Sequence, residues 1–177
     1  MAIKVNYNST QGLVQELDPT GAGGFLVNGA QIGKQTVKYL TSNTTLTSSD
    51  DNTIFLIANV GVTVTIPVPT KEIVGTRYKF IAANDLTNGT LITVEGLVDK
   101  FLGNILYYSL GASSSDVMTK SKIRFNNTNP NPKARAGDNV ELTCILTGGG
   151  PDPDAWTPVW HVVGFAKDTN GIIFTDG

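Results

Sequence analysis

Apolar and polar residues alternate with a period of two over many short stretches of this chain, which is the pattern of β-strands. In the run VTVTIP, Val62, Val64 and Ile66 fall on one face and the threonines between them on the other. Pro67 ends the run, because proline lacks the N–H that a strand donates to its neighbour. The pattern therefore predicts a half-buried strand that faces the core with aliphatic side chains and turns hydroxyls outward.

The same alternation, bounded by turn residues, predicts strands along most of the chain. The predicted strands are residues 36–40, 53–58, 62–67, 76–83, 89–96, 121–127, 139–147 and 159–166, with a last short strand at 171–177. Two of them carry explicit predictions of facing. Tyr78, Phe80 and Ala82 are expected opposite Arg77, Lys79 and Ile81, and Trp160, Val162 and Gly164 opposite His161, Val163 and Phe165.

Turn residues suggest how the strands pair. The NVG turn predicts that residues 53–67 form a hairpin. The Asn88-Gly89 turn, the strongest short hairpin signature, predicts that residues 89–96 pair with residues 76–83. Sequential hairpins are the default, and Greek-key crossings remain open.

Residues 97–120 follow neither period cleanly. Leu97, Phe101, Ile105 and Leu106 suit one face of a helix, but Gly103 and two tyrosines weaken that interpretation. We predict a long irregular excursion here, with a short helix or strand inside it.

Together these patterns predict an all-β fold, an antiparallel β-sandwich or barrel over residues 36–177, with a jelly-roll-like topology among the options. Residues 1–35 differ, since their apolar residues keep no sustained period and GAGG interrupts them. We predict an extended N-terminal arm that orders on a partner, and the alternative is a first strand or two of the main domain. The predicted partner-binding residues of the arm are Ile3, Val5, Leu13, Val14, Leu17, Phe25 and Leu26.

Composition narrows the function classes. Charged residues make up 16% of the 177 residues and the net charge is −2, which gives no electrostatic reason to expect nucleic acid or an anionic membrane. We expect neither as a partner. The single cysteine, Cys144, falls in an alternating strand and is expected to be a buried, inert thiol.

Candidate chemistry is sparse, and the sequence predicts no enzyme, cofactor or metal. The one histidine, His161, lies mid-strand with no nucleophile elbow elsewhere in the sequence. The carboxylate pairs Asp50/Asp51 and Asp152/Asp154 lie in turns, where either pair could bind calcium or serve in glycoside hydrolysis, but neither forms a complete motif.

The aromatic residues Tyr107, Tyr108, Trp156 and Trp160 offer one alternative, a platform for sugars. Alternation favours a core position for Trp160. Trp156, in the loop GGGPDPDAWTP, is the better candidate for contact with another chain.

Residues 40–166 resemble a pattern found in virion proteins of tailed bacteriophages. The matching residues are LTSNTTLTSSDDNTIFLIANVGVTVTIPVPTKEIVGTRYKFIAA, followed by GDNVELTCI and the strand Trp160 to Gly164. The GGGPDPDAWTP insert and the excursion at 97–120 depart from it. The resemblance implies a structural protein on the capsid surface, a decoration or cement protein that binds the major capsid protein as a homotrimer. The alternative is a carbohydrate- or receptor-binding module of a tail fibre or spike.

Overall fold

A computed structural model describes the backbone of residues 5–8, 12–15, 25–27, 30–32, 35–58, 61–97, 100–108, 113–126, 133–148, 152, 155–169 and 171–176. Within these ranges it describes the side chains from Gln35 onward, except those of 97 and 113–119. The chain divides into two compact units, Met1–Thr36 and Val37–Gly177.

The described residues of the first unit form two short antiparallel hairpins. They pair β1 (Val5–Asn8) with β2 (Gly12–Gln15), and β3 (Phe25–Val27) with β4 (Ala30–Ile32). Each pair is a separate two-stranded sheet. The strands β3 and β4 thus pair with each other.

The second unit contains two mixed β-sheets, and the predicted all-β sandwich is confirmed. The larger sheet has seven strands in the order β12 (Ser113–Lys120), β11 (Phe101–Tyr107), β15 (Thr157–Ala166), β14 (Asn139–Thr147), β9 (Arg77–Ala82), β7 (Thr53–Ile57) and β5 (Thr36–Leu40). The smaller has five, in the order β16 (Ile172–Thr175), β13 (Lys122–Phe125), β10 (Thr90–Val94), β8 (Thr63–Ile66) and β6 (Thr44–Thr45).

Helical structure is confined to short 3-10 turns in the part of the chain that is described. They are Ser48–Asp50, Lys71–Ile73 and Glu95–Leu97. None of the described helices has the length and apolar character needed to cross a membrane.

Both predicted hairpins are wrong. β7 pairs in parallel with β9 in the large sheet, whereas β8 pairs in parallel with β10 in the small one. The chain therefore crosses from one sheet to the other three times, at each step from β7 to β10. The crossings satisfy the same hydrophobic pattern, because β7 and β8 put their apolar faces on one core from opposite sides.

The irregular excursion predicted for residues 97–120 is also wrong. β11 and β12 pair antiparallel, and β11 pairs in parallel with β15. Phe101 and Ile105 are both buried, as they would be on the inner face of a helix. A spacing of four residues also places two side chains on the same face of a strand, so the burial fits β11 equally well. Leu106, on the opposite face, is exposed.

Gly103 is required where β11 meets β15. A Cβ at this position would lie 1.9 Å from the carbonyl oxygen of Val162, and the backbone φ is +155°. No side chain fits so close to a neighbouring strand, so glycine permits the parallel pairing here.

The core follows the predicted facing. Tyr78, Phe80 and Ala82 are buried from β9, and Trp160 and Val162 from β15. The predicted inward positions of β8, Val62, Val64 and Ile66, are buried as well. Both facing predictions are therefore confirmed, and the two sheets share one hydrophobic core.

Buried aromatic groups also form specific hydrogen bonds. The indole Nε1 of Trp160 donates to the carbonyl of Pro67 at 2.9 Å, and the hydroxyl of Tyr107 donates to the carbonyl of Ile172 at 2.7 Å. Both bonds run from the seven-stranded sheet toward segments of the opposite layer. They satisfy the polar ends of large core side chains, as buried Trp and Tyr require.

Candidate binding surfaces

The predicted partner-binding residues of the N-terminal unit lie on its hairpins where they are described. Val5 pairs with Gln15, Leu13 with Tyr7 and Val14 with Asn6 in β1 and β2. Phe25 and Leu26 lie on β3, opposite Ile32 and Gln31. Ile3 and Leu17 lie outside the described residues. The partner-binding role of this set remains a prediction.

Trp156 is half-buried, immediately before β15. Its ring lies over Gly148, where an added Cβ would come within 3.0 Å of the indole Cδ1. Glycine at 148 therefore leaves room for the indole between the ends of β14 and β15. The predicted contact of Trp156 with another chain stays a prediction.

The four aromatic residues do not form one sugar platform. Tyr107 and Trp160 are buried in the core. Tyr108 follows β11, at the end of the β11–β15 pair where Tyr107 is level with Ala166, whereas Trp156 precedes the opposite end of β15. At a rise of about 3.3 Å per residue along the strands, Tyr108 and Trp156 lie roughly 30 Å apart. Of the four, Tyr108 is the one that is exposed, and it is tilted against Phe165 at a ring-centroid distance of 6.3 Å.

The candidate reactive residues, a cysteine and a histidine, either have a structural role or lie apart from other reactive groups. Cys144 is fully buried, and burial raises the pKa of its thiol to about 11, so it is a neutral thiol at physiological pH. His161 is partly exposed on β15, level with Leu102 and Thr143 of the neighbouring strands. No group of acidic, histidine and cysteine side chains that could hold a metal occurs among the described residues.

The Asp50/Asp51 pair holds a turn. Asp50 accepts hydrogen bonds from the backbone N–H of Thr47 and from the ammonium of Lys38, and Asp51 accepts one from the backbone N–H of Arg77 at 2.7 Å. These bonds occupy the two carboxylates that the sequence suggested as candidates for calcium binding or glycoside hydrolysis. Of the other pair, Asp152 is exposed and residue 154 lies outside the described ranges.

Sequence reasoning missed a cluster of charges at one end of the sandwich. Arg135 bridges two carboxylates, with Nε 2.7 Å from Asp168 and Nη1 3.1 Å from Asp85. Lys133 Nζ lies 3.5 Å from Asp85. The members come from three separate loops, so no local spacing in the sequence could have revealed them. The cluster joins those loops to one another.

Hydrogen bonds to Asp85 make the cluster sensitive to acid. The backbone N–H of Ala136 and the guanidinium of Arg135 hold the pKa of Asp85 below its usual value of 3.8. A lowered folded-state pKa means that ionised Asp85 stabilises the fold above the unfolded value. That stabilisation is lost as the pH falls through the folded-state pKa.

The outer surface of the five-stranded sheet is polar, and we call it the threonine face. Its residues are Thr45, Thr63, Thr65, Leu91, Thr93, Lys122, Arg124, Ile173 and Thr175. Thr45, Thr65 and Thr93 are level on neighbouring strands, in one row with Lys122 and Thr175. Threonine suits these positions because its branched side chain favours strands. Thr45 is exposed and Thr65 is partly exposed, whereas Thr93 is buried.

The outer surface of the seven-stranded sheet is different, and we call it the apolar face. Its apolar residues are Ile54, Leu56, Ile81, Leu102, Leu106, Val163 and Phe165. Val163 is 58% and Leu106 51% exposed. A sheet that shows one face to water normally carries polar residues there, and the exposed Val163 and Leu106 depart from that pattern.

The edge strand β5 is the other accessible feature. It is the last strand of the seven-stranded sheet, and residues Thr36 to Tyr39 are exposed on both of its faces. Among the described strands, none pairs with its outer edge. An exposed edge of this kind can accept a further strand from another chain.

Comparison with known proteins adds no assignment: no family model matches the chain, and no curated protein matches it.

Proposed function

We propose that this protein is a structural protein of a virion, a capsid decoration or cement protein that binds and stabilises the capsid surface. The single observation that carries the binding role is the exposed edge strand β5, which follows directly after the two N-terminal hairpins. The virion assignment itself rests on the sequence pattern of residues 40–166.

The mechanism that we propose uses binding energy alone. The N-terminal unit lies over the major capsid protein or exchanges strands with it, and the exposed edge of β5 offers further main-chain hydrogen bonds to the capsid. Ordering chain on a partner costs about 1–2 kcal/mol per residue, which burial of the apolar residues of the arm and strand pairing must outweigh. The resemblance to virion proteins of tailed bacteriophages implies a homotrimer located on the capsid surface.

Removal of the N-terminal unit tests this proposal. Deletion of residues 1–33 ends just beyond β4 and leaves β5 intact. We expect a folded sandwich with a melting temperature close to that of the full chain. We also expect binding to capsids that lack the protein to fall at least tenfold, about 1.4 kcal/mol. Co-sedimentation with such capsids measures the binding, and the full chain is the control.

Two results would contradict the proposal in different ways. If the shortened chain binds as well as the full chain, the N-terminal unit is not the anchor. If it fails to fold, residues before β5 are part of what stabilises the sandwich, and the domain boundary is wrong.

A substitution at the only histidine tests the absence of catalysis. We expect His161→Ala to leave capsid binding unchanged, because no proton transfer is assigned to this side chain. Purified wild-type and variant proteins are compared by co-sedimentation and in hydrolase assays on ester, glycoside and peptide substrates. A hydrolytic activity of the wild type that the substitution abolishes would overturn the structural role.

The second candidate function is a glycan- or receptor-binding module of a tail fibre or spike. Tyr108, 77% exposed and in contact with Phe165, is the observation that favours it. A module of this kind binds cell-surface glycans and ignores capsids. Glycan binding that Tyr108→Ala abolishes, with no binding to capsids, would select this candidate over the first.

A further inference from the structure

The apolar face has a regular arrangement that follows from the strand register. One row across the sheet contains Leu106, Phe165, Asn139, Ile81 and Leu56, from β11, β15, β14, β9 and β7 in turn. The next row contains Asn104, Val163, Glu141, Lys79 and Ile54 on the same strands. Apolar residues thus stand on both sides of a polar centre.

The polar centre is a pair of opposite charges. Lys79 Nζ lies 4.0 Å from Glu141 Oε2, and the two side chains are 37% and 45% exposed. At this distance the pair is at the limit of an ion pair, so each group keeps capacity for a closer partner.

We propose that two copies of this chain pair face to face through the apolar face. The two-fold axis lies in the plane of contact, parallel to the strands and midway between β14 and β9. Neighbouring strands are about 4.8 Å apart, and packed sheets about 10 Å, which sets the scale of the contact.

This axis places chemically matched residues opposite each other. Rotation about it exchanges the positions of β14 and β9, and those of β15 and β7, without changing the row. Phe165 then lies opposite Leu56 of the second copy, and Val163 opposite Ile54.

In the centre, Glu141 lies opposite Lys79 of the second copy, and the reverse contact occurs on the other side of the axis. The fourth facing pair of these two rows sets Asn139 opposite Ile81 of the second copy. The other three pairs match in hydrophobicity or in charge, which is what an isologous interface requires. This match selects a second copy as the occupant of the face.

The inference does not depend on capsid binding, and its stoichiometry differs from the trimer that the sequence pattern implies. The mass of the protein in solution distinguishes the two. Face-to-face pairing gives a dimer of the 18.8 kDa chain.

The first test introduces a charge into the contact. Val163→Glu places a carboxylate opposite Ile54 of the second copy, and the exposed position lets the monomer fold. We expect light scattering coupled to size exclusion to show a dimer for the wild type and a monomer for the variant. The dissociation constant should rise at least tenfold. Thr65→Glu, on the threonine face, is the matched control and should stay dimeric.

The second test uses the central charges. Lys79→Glu places two glutamates opposite two glutamates, and Glu141→Lys places two lysines opposite two lysines. Each variant alone should be monomeric. In an equimolar mixture, every glutamate meets a lysine, and we expect the dimer to return as a heterodimer.

Recovery in the mixture cannot come from the contact between residues 79 and 141 within one chain, because that contact stays repulsive in both variants. A monomeric or trimeric wild type would overturn the inference. So would a dimer that Val163→Glu leaves intact, or a mixture of the two charge variants that remains monomeric.

Discussion

Truncation of Phe80 to alanine should lower the free energy of unfolding by about 3–5 kcal/mol, the usual range for the loss of a buried phenylalanine. Phe80 is fully buried in β9, and its ring stacks on that of Phe55 at a centroid distance of 5.2 Å. The neighbouring strand β14 places Val140 level with it. Loss of the ring therefore removes hydrophobic burial and leaves a cavity. The cavity cannot collapse easily, because the strands on both sides of β9 hold it in place.

Chemical denaturation of the wild type and Phe80→Ala measures this effect. Arg77→Ala is the matched control on the same strand, because its side chain is on the outer face and exposed. We expect that change to alter stability by less than about 0.5 kcal/mol. Near-wild-type stability of Phe80→Ala would show that the facing of β9 is inverted.

Replacement of Asp138 by alanine should cost about 2–4 kcal/mol, because it leaves two backbone donors without an acceptor. The carboxylate of Asp138 is fully buried and accepts hydrogen bonds from the backbone N–H of Arg135 at 2.8 Å and of Lys167 at 2.9 Å. It thus holds together the loop before β14 and the residue that follows β15. Burial raises the pKa of Asp138, and these hydrogen bonds oppose that shift.

The control for Asp138 is an aspartate whose pairing is on the surface. Asp176 forms an ion pair with Lys120 at 2.7 Å, but its side chain is exposed. Asp176→Ala should change stability by no more than about 1 kcal/mol, the usual limit for surface pairs. If both substitutions have equal effects in denaturant, the buried carboxylate does not stabilise the loops as described.

The sequence was sufficient to predict which residues face the core, but not which strands pair. Alternation assigns Tyr78, Phe80 and Trp160 to the interior, because in a strand with one buried face every second side chain points to the core. The loop that contains Asn88 and Gly89 connects β9 to β10. Whether the next strand then joins the same sheet or the opposite one depends on packing across the core, which local residues do not record.

The same limit explains why the outer surface of the seven-stranded sheet could not be predicted from the sequence. Each apolar residue of the apolar face is unremarkable on its own strand, since Ile54, Ile81 and Val163 lie far apart in the sequence. Only the strand order brings them level and sets Lys79 beside Glu141. A facing prediction for one strand could be made, but the common face of five strands could not be predicted without their order.

The central claim, that this protein is a structural component of the virion surface, is tested most directly by its location in the particle. If the proposal holds, a virus encodes this chain, and cryo-electron microscopy maps of its purified virions can be compared with maps of particles that lack the protein. The account predicts density on the outside of the capsid that fits the two-sheet sandwich and disappears from the deficient particles. Identical capsid density in both, with the difference confined to a tail fibre or absent altogether, would contradict it.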